Sequence, residues 1–215
     1  MPLVHTLLPF WLLLFFGTII AVLFNLGTVA ACLLLRVKFT KIAVFYGKPV
    51  ITIDTRFGPV SFGYIPTGGY IQLDMDAFPF EARLKRAAVA LSGPGTILLS
   101  ALLCLGFHHA GHSFATTYSQ AFDLLHAPMA KGKEFYSLFS IIAQNHPFTG
   151  YGVLAAKAGM LNLLPLPTLA GGRLLMELCP KRNDSLLAKA LNYLGTLFAF
   201  SVFAWLAILL IRHLF

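Results

Sequence analysis

Acidic residues are scarce: the 215-residue chain holds 8 Asp+Glu against 16 Lys+Arg, and only 11% of it is charged. Ordinary soluble domains carry about 25% charged residues, so that class is excluded. Cysteine is equally sparse. Cys32, Cys104 and Cys179 lie in or beside apolar stretches and offer no disulfide framework, reading instead as small buried hydrophobes. No basic run is interleaved with aromatics, which removes nucleic acid as the explanation of the formal net charge of +8. What the chain has in abundance is apolar surface, with 58% hydrophobic residues, 20 Phe and a mean hydropathy of +0.78. The partner implied first is membrane lipid.

A bilayer core of about 30 Å needs around 20 apolar helical residues. Thr6 to Leu35, Ala87 to Phe107 and Ala190 to Ile211 meet that need without a charge, while Tyr151 to Met176 is interrupted by Lys157, Pro165, Pro167, Gly171, Gly172 and Arg173. The first run lacks a basic leader and is too long for the apolar part of a signal peptide, so it reads as a span. The expectation is a mainly α, integral membrane fold, a single membrane domain over residues 1–215 with about four transmembrane helices, the third broken. Lys and Arg concentrate between the first and second spans and between the third and fourth. The positive-inside rule then places both termini outside the cytoplasm. With no transit peptide visible, a bacterial cytoplasmic membrane is expected.

Two connecting stretches have their own patterns. Residues 38–76 form a cytoplasmic β-hairpin region: Ile42 to Tyr46, Val50 to Asp54, Val60 to Ile65 and Tyr70 to Leu73 are β-rich runs punctuated by Gly and Pro, and they read as two hairpins at the membrane surface. Residues 108–150 read as an external loop in which Phe135, Leu138, Phe139 and Ile142 recur at helical spacing, an amphipathic helix on the outer interface. Lys157 reads as snorkelling outward from the third span. Within that span, Asn162 to Gly172 contains two prolines and a Gly pair, and a continuous helix cannot survive there. Broken backbone at membrane depth persists only when buried in protein or lining a cavity, so this strip competes with a simple proline kink as a site.

The strip Asn162-Leu163-Leu164-Pro165-Leu166-Pro167-Thr168-Leu169-Ala170-Gly171-Gly172 resembles the segment ending in leucine-aspartate-glycine that marks the site-2 protease family, the intramembrane zinc metalloproteases. Phe24-Asn25-Leu26-Gly27-Thr28 resembles that family's His-Glu-x-x-His helix. Ile65-Pro66-Thr67-Gly68-Gly69-Tyr70 resembles its hairpin, and Lys85-Arg86 to Ser92-Gly93-Pro94 the start of its second core helix. The resemblance implies zinc held by two His and an Asp, with Glu as general base on the bound water. Here those positions hold Phe24, Thr28 and Ala170 for the ligands and Asn25 for the base. A phenyl or methyl group has no lone pair for a metal, an alcohol is a poor zinc ligand, and a carboxamide is no base. Shifting the register does not help, because Gly17 to Leu35 and Tyr151 to Met176 contain no His, Asp or Glu. Glu177 is the nearest acid and reads as an interfacial ion-pair partner.

Zinc is therefore expected to be absent from the family site, and no cofactor is expected. The leading expectation is a pseudoprotease acting as a binding or scaffolding subunit for another membrane protein or transmembrane helix. Its expected groove comprises Asn162, Pro165, Pro167, Gly171 and Gly172 with Gly68 and Gly69, where glycines permit close backbone approach. Two alternatives stay open. One is an active metalloprotease or hydrolase using non-standard residues, with Thr28 or Ser92 as nucleophile, although neither has a base at a defensible spacing. The other is metal binding by His108, His109 and His112, which can share a helical face.

Overall fold

The computed structural model describes residues 2–55, 58–74, 77–166 and 169–178, together with Tyr193 and Leu197. The expected fourth span, Ala190 to Ile211, is otherwise outside the described residues. The described chain is mainly helical: α1 (Pro2–Leu35), β1 (Phe39–Thr55), β2 (Gly58–Leu73), α2 (Arg83–His126), α3 (Pro128–Asn145), α4 (Pro147–Asn162) and α5 (Ala170–Leu178). Two stretches, Leu8–Leu35 and Arg83–Leu124, are long and apolar enough to cross a membrane.

Helix α1 ends for a local reason. Val37 N–H donates to the Cys32 carbonyl at 2.8 Å and Arg36 N–H to the Leu33 carbonyl at 3.3 Å, the paired closing bonds of a left-handed C-cap. Arg36 occupies the position that usually prefers glycine, at φ 56°. The accompanying apolar contact is Val37 with Cys32, both buried beside Val89 of α2. This turn aims the chain into the sheet.

The sheet is one mixed unit, correcting the reading of two hairpins. Ile42, Ala43 and Val44 pair with Ile71, Tyr70 and Gly69 on one side and with Val60, Ser61 and Phe62 on the other. Partner numbers fall along the first border and rise along the second, so one is antiparallel and the other parallel. The remaining part of β1, Ile51 to Thr55, pairs back onto Phe62 to Gly58 as a hairpin. The first half of β1 is thus central, with Thr40 Oγ1 donating to the Gln72 carbonyl at 3.2 Å and Ser61 Oγ to the Ile42 carbonyl at 3.4 Å.

The stretch read as an external loop with one helix is helical almost throughout. Helix α2 runs to His126 but is interrupted at Gly106 (φ 71°, ψ 167°), a backbone conformation confined essentially to glycine. Its 44 residues would extend about 66 Å if straight, twice a bilayer core. Instead the limb after Gly106 turns back. Before the break, Leu98 lies against Gly159 and Leu105 against Gly152 of α4. After it, Tyr118 hydroxyl donates to the Met160 carbonyl at 3.1 Å, so the second limb has returned to the level of Leu98. Ala110 and Thr117 are buried along this limb, and Phe114 packs on the main core.

That core brings α1, α2, α3 and α4 together through Phe16, Ile20, Ile97, Ala101, Phe139, Ala143 and Tyr151. Phe16 meets Phe139 and Tyr151 edge-on at ring distances of 6.2 and 5.8 Å. The Tyr151 hydroxyl shares a 2.8 Å hydrogen bond with Ser100. Helix α3 therefore packs its Phe135, Phe139 and Ala143 face on the bundle rather than resting only on an interface.

Candidate functional site

The residues of α1 that the sequence resemblance singles out are positioned by tight packing of α1 against α2 and the sheet. Gly27 closes on the Ser92 carbonyl and the Thr96 side chain, and a methyl group on Gly93 would lie 2.7 Å from Phe24 Cζ, so the Phe24 ring is seated on the α2 backbone. Asn25 is buried at 6% exposure. Its Nδ2 donates to the Ala21 carbonyl at 2.9 Å, and Thr28 Oγ1 donates to the Phe24 carbonyl at 3.0 Å. Both polar side chains are thus satisfied by carbonyls one turn back in their own helix, the usual alternative when no outside partner exists.

Ala170 opens α5, is buried at 6% exposure and belongs to a helix packed on α2. The break before it is held by Leu163 N–H to the Met160 carbonyl at 3.0 Å, Leu164 N–H to the Leu161 carbonyl at 3.1 Å and Leu169 N–H to the Leu166 carbonyl at 2.8 Å. Asn162 Nδ2 donates to the Ala158 carbonyl at 2.9 Å. Gly171 rests directly on the carbonyls of Leu163 and Leu164. The close approach permitted by this glycine is therefore used within the chain, and Gly171 and Gly172 are both buried. Gly69 behaves likewise, with φ 139° and a backbone pressed on Asn25 Nδ2 and the Ala43 carbonyl, while Gly68 turns the chain at φ 69°. Of the positions expected to line a groove, Gly69 and Gly171 are packed against the protein's own backbone and Asn25. Pro165 is exposed, and Pro167 falls outside the described residues.

A zinc ion does not fit this donor set. Asn25 and Thr28 are the polar members, their polar atoms are engaged by backbone, and Phe24 and Ala170 donate nothing. Among the described residues no three His, Cys, Asp or Glu side chains gather as a metal site. His108, His109 and His112 lie exposed at the start of the second limb of α2, with the first two rings edge-on at 5.3 Å. The alternative nucleophiles are similarly placed: Ser92 Oγ donates to the Val89 carbonyl at 2.7 Å, and Thr28 to Phe24, with no imidazole or amine as partner in either bond.

Glu177 forms its ion pair with a residue that sequence spacing did not suggest. Arg86 Nε of α2 stands 2.7 Å from Glu177 Oε2, with both side chains no more than 20% exposed. Arg86 also donates from its guanidinium to the Pro79 carbonyl. The only acid of α5 is thereby engaged in holding α5 to the start of α2. A second cluster that sequence reasoning did not assemble is Tyr118, Gln120 and Lys157, where Lys157 Nζ donates to Gln120 Oε1 across the second limb of α2 and α4. Its signal in sequence was Lys157 itself, an ionisable residue within an apolar run.

Comparison with known families matches residues 11–205 to peptidase family M50. No curated protein matches the chain.

Proposed function

The chain belongs to peptidase family M50, the site-2 protease family, and from that premise we propose that it is a catalytically inactive member serving as a binding or scaffolding subunit for another membrane protein. One observation carries this reading: the family's ligand and base positions hold Phe24, Asn25, Thr28 and Ala170, with Asn25 and Thr28 turned back onto their own helix. Hydrolysis needs a metal-bound or base-activated nucleophile, and neither group can be made from these side chains. Filling the position with packed apolar groups also avoids the cost of burying unpaired polar ligands.

The binding surface belongs on features the chain leaves open. Val50, Ile51 and Ile53 are more than half exposed along the outer hairpin of the sheet, where an extended segment can add as a further strand. The proposed setting is a bacterial cytoplasmic membrane with four main spans and both termini outside the cytoplasm. The returning limb of α2 and α3 run in opposite directions, so together they leave the sides of the termini unchanged.

The test is purification from native membranes in mild detergent, followed by zinc analysis and cleavage assays on membrane substrates. The expected result is substoichiometric zinc, no cleavage and a stoichiometric copurifying membrane protein. Cleavage abolished by Thr28→Ala or Ser92→Ala would overturn the reading in favour of a hydrolase.

A further inference from the structure

Lys157 stands on α4 between Gly152, which faces Leu105, and Gly159, which faces Leu98. Leu98 lies 12 residues beyond Arg86, about 18 Å along the helix from the Arg86–Glu177 pair, and 8 residues, about 12 Å, short of Gly106. On the proposed four-span arrangement this is hydrocarbon depth. Outward snorkelling is not what the side chain does: its ammonium donates to Gln120, two residues from the Tyr118 that reaches Met160. Gln120 is a neutral amide. No carboxylate among the described residues forms an ion pair with Lys157, and that includes Asp123, one turn beyond Gln120. Beside it on the second limb of α2 Gln120 is exposed, while Tyr118 and Phe122, two residues to either side of Gln120, lie on the other flank of that helix.

A cation at this depth is costly and is normally paired. A lipid phosphate sits at the interface, too far away to serve. A second copy of the chain brings no Asp or Glu on α1 or α4, and its acid on this limb is Asp123 of α2, which makes a second copy the competing occupant that crosslinking distinguishes. We infer that Lys157, with Gln120, forms the docking site for a partner transmembrane helix carrying an Asp or Glu at mid-bilayer depth. The carboxylate completes the lysine's ion pair and accepts from the Gln120 amide. This rests on the binding-subunit reading and names the chemistry of its partner.

The experiment recovers the full chain from native membranes in mild detergent as wild type, Lys157→Met, Lys157→Gln and Lys157→Arg, with helical content and melting measured for each. Recovery of the copurifying protein is expected to fall at least about tenfold for Lys157→Met and Lys157→Gln, equivalent to about 1.4 kcal/mol, and to stay within about twofold for Lys157→Arg. The recovered protein must carry an acid within a membrane helix, and exchanging the charges, Lys157→Asp here with that acid changed to Lys, must restore recovery. Undiminished recovery with folded Lys157→Met or Lys157→Gln overturns the inference and leaves the binding role standing. Recovery of nothing by the wild type overturns both. A partner without an intramembrane acid, or crosslinking of Lys157-face cysteines only to a second copy, also overturns it.

Discussion

The backbone of Gly69 presses on the side chain of Asn25, so closely that a methyl group at Gly69 would lie 2.5 Å from Asn25 Nδ2 and 2.6 Å from the Ala43 carbonyl. Asn25, the residue that the sequence resemblance sets at the family's general-base position, is thus part of the seat of the sheet on α1. Gly69→Ala adds a methyl into that contact at φ 139° and is expected to destabilise by about 2–4 kcal/mol, combining overpacking with backbone strain. Thr28→Ala, which removes only a bond to its own helix, is expected to cost about 1 kcal/mol or less. Denaturant unfolding of the two variants in one detergent compares them. Equal stability would show that the sheet is not seated on Asn25.

Gly106 and Gly111 separate backbone strain from crowding, because an added methyl meets nothing within 4 Å at either position. Gly106 holds φ 71° and ψ 167° whereas Gly111 lies within the helical limb that follows. Gly106→Ala is expected to destabilise by about 1–3 kcal/mol through backbone conformation alone, and Gly111→Ala to stabilise by roughly 0.5–1 kcal/mol. Thermal melts of both variants check the opposite signs. A cysteine crosslink from the Tyr118 position to the Met160 position is also expected to weaken in Gly106→Ala, since the limb no longer turns back.

Arg86 and Glu177 join the start of α2 to α5 through a largely buried pair. Removing one partner leaves the other uncompensated. Glu177→Gln, which preserves shape but not charge, is expected to cost about 1–3 kcal/mol, and the double variant Arg86→Met/Glu177→Leu less than the sum of its singles. A double-mutant cycle by chemical unfolding measures the coupling, and additivity would show the pair to be incidental.

Much of the architecture was legible in the chain. Uncharged runs announced α1 and the first limb of α2, and the prolines with Gly171 and Gly172 announced the break that separates α4 from α5. The four β-rich runs were visible from their turn residues. Their connectivity was not, because alternation and turn signals report where a strand is and not which strand lies beside it. The return of α2 was illegible for a sharper reason: Gly106 sits in an apolar run where a helical glycine and a chain-reversing glycine look alike, and the positive φ is selected by contacts made far along the chain, at Gly152 and Met160.

The candidate site divides along the same line. That Phe24, Asn25, Thr28 and Ala170 are a poor donor set for zinc was legible from residue identity, since donor chemistry belongs to the side chain wherever it is placed. What those positions do instead was decided by tertiary structure. Asn25 became a seat for Gly69, Gly171 closed on Leu163 and Leu164, Glu177 found Arg86, and Lys157 was left with Gln120. Composition fixes the medium and the available chemistry through free energies each residue carries by itself. Pairing depends on which distant surfaces are brought within a few ångströms, and only the folded chain brings them there.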